Sequence, residues 1–480
     1  MSASLFTTEA MRAAMQAKPA GALPDAITGI SIDSRSIGKG EAFFAIKGDV
    51  HDGHAFVASA LKNGAGLAVV ASSQQANMPA GASLLVVPDV LQGLVDLAKA
   101  SRTRTKSRVI AVTGSVGKTS TKEALRVALG RNGETHASTA SFNNHWGVPL
   151  SLARLHESAR YAIFEIGMNH AGEITPLVKL VRPHIAIITT VAPVHLEFFA
   201  SVEEIADAKA EIFLGLEPGG AAVLNRDNAQ FARLRQRAEA AGVARIVAFG
   251  EHREADARLL KLAMQPESST VDAEILGQRI TYKLGMPGQH HAINSLAVLA
   301  AASLAGADLA LTAMALAEVT PAAGRGTRIR LDLRPGSALL IDESYNANPT
   351  SMRAALGLLA QARVTPPGRR IAVLGDMLEL GPAAEQLHRD LTKAVIENKI
   401  DLVFCAGEMM EALWQALPSE RRGGYAKDSA TLESSVVAAV RDGDAIMVKG
   451  SAGSKMAPIV KTLATRYGRE AERPAARAES

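Results

Sequence analysis

The run Thr113-Gly114-Ser115-Val116-Gly117-Lys118-Thr119-Ser120 follows the short β-branched stretch Arg108-Val109-Ile110-Ala111-Val112. Its two glycines let backbone N–H groups turn inward around phosphate oxygens. A helix expected over residues 121–129 points its positive dipole end at the same place. Lys118 can then span β- and γ-phosphates, and the Thr119 hydroxyl can ligate Mg²⁺. The usual G-x-x-x-x-G-K-[ST] spacing would put glycine at Val112, so this loop is a shortened form. The competing reading is a glycine-rich turn with an incidental lysine. Its place between an apolar strand and a helix favours a nucleoside triphosphate site built from Gly114, Ser115, Val116, Gly117, Lys118, Thr119 and Ser120.

Other elements must position that loop. A chain of 480 residues is too long for one core and suggests about three domains. Residues 1–107 hold an early helix, 9–16, and short β-like runs at 42–46 and 66–70. Residues 108–327 alternate apolar strands (108–113, 161–166, 185–190, 220–224) with helical patterns, including a lysine-bearing helix over 202–213 and an Ala/Leu-rich helix over 292–304. That alternation predicts a doubly wound parallel sheet. Residues 328–467 repeat the pattern, with strands at 338–341, 370–374, 401–404 and 444–448, as a Rossmann-like domain should. The fold class is thus α/β in three domains. The polar tail 468–480 is expected to be disordered.

The formal charge is +4, and no basic stripe with interleaved aromatics is visible, so nucleic acid is not an expected partner. The single cysteine, Cys405, excludes a disulfide framework and a Cys-rich zinc site, and is read as a buried strand-end thiol. No signal peptide and no membrane span are expected, and the protein is placed in the cytoplasm.

Further motifs stand in one order along the chain: Glu165-Ile166-Gly167-Met168-Asn169-His170, His195 followed by Lys209, Gly288-Gln289-His290-His291-Ala292-Ile293-Asn294, and Asp342-Glu343-Ser344-Tyr345-Asn346-Ala347-Asn348-Pro349. Together with the shortened loop they resemble the Mur ligases, a superfamily that includes folylpolyglutamate synthetases. Leu374-Gly375-Asp376-Met377-Leu378-Glu379-Leu380-Gly381 and Tyr345-Asn346-Ala347-Asn348-Pro349 resemble the branch that joins D-alanyl-D-alanine to UDP-N-acetylmuramoyl-tripeptide. Asp33-Ser34-Arg35, Gly48-Asp49 and Asp52-Gly53-His54 resemble the N-terminal UDP-binding domain, a small α/β unit, that this branch shares with the diaminopimelate-adding one. Three departures stand out: His291 where the family usually has asparagine, His145-Trp146 after Asn143-Asn144, and the altered basic spacing of Lys449-Gly450-Ser451 through Lys455.

The resemblance implies an ATP-dependent ligase that forms an acyl phosphate, acts as a monomer, and needs Mg²⁺. Thr119, Glu165, His195 and Lys209 would be the metal residues, with Lys209 carbamylated, since a bare ammonium has no lone pair for a metal. Lys118, Glu165, His195 and Lys209 would carry catalysis. Asn294 would contact adenine, and Arg325 and Asp342 would contact ATP near the hinge to the third domain. Ser34 and Arg35 would hold the UDP end, Asn143 and Asn144 the nucleotide-sugar, and Lys449 and Ser451 the incoming dipeptide. Tyr345 and Asn346 would meet substrate or organise their own turn.

Each of these residues has a plainer alternative: a surface glutamate, a solvated lysine, a capping asparagine, an exposed linker arginine. The rival functions are a related ligase adding diaminopimelate or lysine, a P-loop switch, and a nucleotide-binding scaffold. No convincing Asn-Lys-x-Asp guanine signature is present, and the co-occurrence of Lys118, Glu165, His195 and Lys209 argues against a scaffold.

Overall fold

The computed structural model describes residues 4–468 apart from Asp49, Ala140 and His195. The expectations for His195, for Asp49 and for the tail beyond Gly468 therefore lie outside the described residues. The strands Arg108–Thr113, Tyr161–Glu165, Ile185–Ile188 and Ala221–Asn225 are apolar and almost wholly buried, and they pair in parallel. They form the centre of a nine-stranded sheet in which Arg108–Thr113 lies between Tyr161–Glu165 and Ile185–Ile188. In such sheets ligands gather at the carboxyl ends of the strands, where order reverses. Thr113 and Glu165 both stand at those ends.

The sheet extends further than its apolar runs indicate. Ala257–Met264, Ser269–Ile275 and Gln278–Leu284 add three strands, joined to one another antiparallel. Their residues alternate between buried and exposed, with polar side chains on the open face. A reading keyed to continuous apolar strands passes over them.

One face of the sheet is covered by the phosphate-loop helix Lys118–Gly130 and by Gln289–Leu304. The second helix buries Ala297, Ala300, Ala301 and Ala302, and these small side chains allow close approach. The expected helix over 202–213 is an α-helix only through Val202–Ala210. It tightens into a 3₁₀ turn at Glu211–Gly215.

The N-terminal domain has a five-stranded sheet, parallel except for Lys18–Ala20, and a two-stranded pairing of Phe6–Thr7 with Ala26–Ile27. Its helix Val90–Arg104 packs so closely on the central domain that Leu94, Leu97 and Ala98 share one core with Val148, Leu152 and Val178. The third domain has six strands, parallel apart from the edge strand Thr327–Asp332. Cys405 is buried in its strand Leu402–Ala406, and burial pushes the thiol pKa up. Among the described residues no helix is long and apolar enough to cross a membrane.

Arg102 fastens the first two domains. Its Nε donates to Val181 O at 2.7 Å, and its Nη2 donates to Arg182 O at 2.6 Å and to Glu217 Oε1 at 3.0 Å. These are the last carbonyls of the helix Ile174–Val181, which have no partner within the helix. Arg102→Met leaves them buried and unpaired, so a loss of about 2–4 kcal/mol in unfolding free energy is expected from urea titration. A midpoint matching the parent protein would show that the clamp contributes nothing.

Candidate active site

The turn after Arg108–Thr113 is set by two glycines at positive φ. Gly114 (φ +147°) leaves no room for a side chain: a Cβ there would lie 2.0 Å from Thr189 Oγ1. Gly117 (φ +89°) begins the helix with no side-chain cap, and a Cβ would lie 2.7 Å from Asn294 Nδ2. The first helical N–H groups thus stay available to an anion. Thr189, which reads from sequence as a polar break in an apolar strand, donates its hydroxyl to Val116 O at 2.6 Å and to Thr113 O at 3.3 Å. Ser115 is tied to the same neighbouring loop. Its N–H donates to Thr190 O at 2.8 Å and its hydroxyl to Ala192 O at 3.1 Å. Ser120 donates to Gly117 O at 3.2 Å. The loop is therefore held open from behind, by groups that face away from its concave side.

Four predicted residues converge in front of it. Lys118 Nζ donates to Gly114 O at 2.6 Å. Burial lowers its pKa, opposed by the Glu165 charge and reinforced by Arg325. Glu165 is 1% exposed, which removes the surface-glutamate alternative. Its Oε1 accepts from Asn143 Nδ2 at 2.8 Å, whereas Oε2 is buried with no partner. Thr119 Oγ1 is likewise buried without a partner. Lys209, 2% exposed, is no solvated lysine. Burial, and then the charge of Lys118, drive its pKa well below the ordinary lysine range. No hydrogen bond or ion pair to Lys209 is found among the described residues.

Asn143 has a second role beside the one expected of it. Its carbonyl accepts the Gly167 N–H at 2.8 Å, and Gly167 has no Cβ to crowd the amide group. Asn143 thereby fixes one oxygen of Glu165 and turns the other inward. Asn144 Oδ1 accepts from the Gly147 N–H at 2.9 Å, at the start of the helix Gly147–Ala153.

The third domain closes one side. The Arg325 guanidinium lies 4.1 Å from the centre of the Tyr345 ring, and the Gly326 N–H donates to Asp342 O at 2.7 Å. Asp342 Oδ1 accepts from the Ser344 N–H and hydroxyl, forming the turn that presents Tyr345. Asn346 organises its own loop through a side-chain contact with Ala347 N–H. Lys449 is buried and donates to Glu343 Oε2 and Asn346 O, both at 3.0 Å. Ser451 accepts from Leu378 N–H at 3.0 Å and donates to Ala347 O. In this arrangement Lys449 and Ser451 brace the loops 343–348 and 376–381.

Ser34 and Arg35 stand apart in the N-terminal domain. Ser34 O accepts from Asn63 Nδ2, and the exposed Arg35 grips Asp33, whose pKa falls to about 2. The Thr189 clamp escapes sequence reasoning, whereas His291, singled out as a departure, proves to be buried. Burial and the adjacent His290 keep His291 well below the usual histidine pKa, and its Nδ1 has no partner. The Thr189 clamp has no motif of its own.

Two buried oxygens without partners, Thr119 Oγ1 and Glu165 Oε2, thus accompany two desolvated lysines at the glycine turn, donors for a cation beside bases for an anion. Sequence comparison agrees. Family models for the Mur ligase family catalytic domain, the Mur ligase middle domain and the Mur ligase glutamate ligase domain match residues 26–110, 112–302 and 327–452. A Rickettsia prowazekii protein, UDP-N-acetylmuramoyl-tripeptide--D-alanyl-D-alanine ligase, is 32% identical over 90% of this chain and 94% of its own length. The Escherichia coli protein of the same name is 33% identical over 90% and 93%. The chain belongs to the Mur ligase family. Among solved structures, MurF from Acinetobacter baumannii superposes with a TM-score of 0.82 at 30% identity, covering 96% of this chain and 99% of that one. MurF from Thermotoga maritima, solved in complex with ADP, gives 0.72 at 25% identity over 91% and 98%. The Mur ligase three-domain fold and an ATP-dependent ligase chemistry follow for this chain.

A pH prediction follows from Lys209. Its folded pKa lies well below the unfolded value, so in the pH range between the two the unfolded state binds the extra proton and stability rises with pH. Lys209→Met removes that slope. In CO₂-free buffer without ligands the variant should melt above the parent at pH 7, and the gap should close as pH approaches 10. A parent protein that melts higher at pH 7 would contradict a desolvated lysine.

Proposed function

We propose that this Mur ligase uses ATP to join D-alanyl-D-alanine to UDP-N-acetylmuramoyl-tripeptide, and that the side chains gathered at Gly114–Ser120 carry the reaction. The observation behind this reading is the pair of unpartnered buried oxygens, Thr119 Oγ1 and Glu165 Oε2, beside Lys118 and Lys209. Relatives named for that activity match at about a third identity over nearly the whole chain.

Main-chain N–H groups at the start of the helix Lys118–Gly130, with Lys118, hold the β- and γ-phosphates. Thr119 and Glu165 offer the hard oxygen donors that suit Mg²⁺, which takes one or two protein oxygens beside phosphates and water. When bound, Mg²⁺ would offset the charge of the phosphates. Asn294, beside Gly117, and His291 would meet the base, and Arg325 with Asp342 would meet ATP from the hinge. The tripeptide's terminal carboxylate oxygen attacks the γ-phosphorus, the bond to the β-γ bridging oxygen breaks, and ADP leaves. The dipeptide amine then attacks the acyl carbon, and phosphate departs from the tetrahedral intermediate as the nitrogen loses its proton. An α-amino group titrates near neutrality, so a neutral nucleophile is available without a dedicated base. Lys118 and Arg325 face the negative charge of both steps.

Burial disfavours the ammonium of Lys209 relative to the neutral amine, which is the form that adds CO₂, and a carbamylated Lys209 would offer oxygen to a second cation. ATP and UDP-linked precursors place the work in the cytoplasm.

Phosphate release from ATP with UDP-N-acetylmuramoyl-tripeptide tests the reading across D-alanyl-D-alanine, diaminopimelate and lysine as amines. Release with D-alanyl-D-alanine, cut at least a hundredfold by Glu165→Gln, is expected. Release driven by diaminopimelate or lysine instead would reassign the amine. In CO₂-depleted buffer the rate should fall and bicarbonate should restore it. A rate indifferent to CO₂ would leave Lys209 unmodified.

A further inference from the structure

One buried cation stands outside the converging set. Lys122 lies on the phosphate-loop helix Lys118–Gly130 and is 0% exposed. It follows Thr119 and Lys118 by about one helical turn. Its Nζ donates to Ser138 O at 2.7 Å and pairs with Glu123 Oε1 at 2.8 Å. Glu123 is shared with Arg126, whose Nε donates to its other oxygen at 2.8 Å. An ammonium buried at such a position gives up more hydration than an apolar side chain of the same length. Packing alone therefore does not account for a lysine there, and its partners have to.

Ser138 directly follows the edge strand Thr135–Ala137. Its N–H donates to Ile163 O at 3.1 Å, and its hydroxyl accepts from the Glu165 N–H at 3.4 Å. Five residues on, Asn143 donates to Glu165 Oε1 at 2.8 Å and accepts from the Gly167 N–H at 2.8 Å. The segment from Ser138 to Asn143 is thus fastened at both ends to the strand Tyr161–Glu165 and the residues after it. Lys122 fastens its first end to the nucleotide helix as well. Asn143 can turn Glu165 Oε2 inward only while the segment that carries it is held.

We propose that Lys122 is a positioning residue for Glu165: by clamping Ser138 O to the helix that carries Thr119, it fixes the segment through which Asn143 orients the carboxylate. Thr119 and Glu165 come from different elements, a helix and a strand end, and one divalent cation needs both oxygens at once. The inference rests on the reading of Thr119 and Glu165 as Mg²⁺ donors. Lys122 acts on the metal through Asn143, in the way that outer groups orient metal ligands.

The test reads Mn²⁺ binding to the ADP complex of the full chain, from the paramagnetic resonance of free Mn²⁺, with no acceptor or amine present. Lys122→Met should weaken Mn²⁺ binding about tenfold, while ADP affinity in EDTA stays within about twofold of the parent. Asn143→Ala should weaken Mn²⁺ binding by a similar factor, and the double variant by no more than the larger single loss, because both act on one carboxylate. In phosphate release, Lys122→Met should lose rate at low Mg²⁺ and regain it as Mg²⁺ is raised, which a loss of stability alone would not produce. Should the methionine variant fail to fold, Lys122→Gln, whose shorter amide falls short of Ser138 O, carries the same comparison with the same expected loss. Mn²⁺ affinity equal to the parent in either folded variant overturns the proposal. So do losses that multiply in the double variant. So does an equal fall in ADP affinity in EDTA, which would give Lys122 a direct electrostatic role at the phosphates. A parent protein whose ADP complex binds no Mn²⁺ would instead remove the reading of Thr119 and Glu165 as metal donors, and this inference with it.

Discussion

Burial of basic side chains governs the structure around the phosphate loop. It disfavours the charged forms of Lys118 and Lys209, with Glu165 supporting the Lys118 ammonium and Arg325 opposing it. Such an arrangement is unfavourable in the absence of anions, because each ammonium gives up hydration that one carboxylate cannot replace. It becomes favourable when a polyphosphate arrives. Weak ground-state balance and strong ligand binding are two aspects of the same set of side chains, which is how electrostatic preorganisation operates.

Holding like charges together requires a rigid frame. The frame here is the parallel sheet and its two covering layers, with Thr189 and Asn294 packed against the loop glycines and Asn143 fixing one oxygen of Glu165. Neighbouring domains supply the rest. A shared core and Arg102 lock the N-terminal domain to the central one, whereas the third domain meets it chiefly through loops, at Arg325–Tyr345 and at Glu197–Glu379. Loop contacts of that kind part more readily than a continuous core, so motion that admits substrate is expected at the third domain.

Much of this was legible in the sequence because it lies in local patterns. The strand before the loop has its sequence-read ends, Arg108 and Thr113, since a β-branched run stopping at glycine has few alternatives. Glu165 and Lys209 were singled out on resemblance, and burial now gives each a physical reason. What the sequence hid is what depends on distant partners. The antiparallel strands 257–284 are half polar. The clamp at Thr189 is a side chain reaching across to a loop 73 positions away. Asn143 as an orienting group depends on Glu165, 22 positions on, at the end of a neighbouring strand. No periodicity reports such pairings.

The central claim is that Thr119 Oγ1 and Glu165 Oε2 are left without partners because a divalent cation on the nucleotide completes them. Crystals grown with ADP and Mn²⁺, read by anomalous scattering at the manganese edge, test this directly. The account predicts an anomalous peak about 2.1 Å from both oxygens and in contact with the β-phosphate beside Gly117 and Lys118. Nucleotide bound at the loop with manganese remote from both oxygens would contradict it.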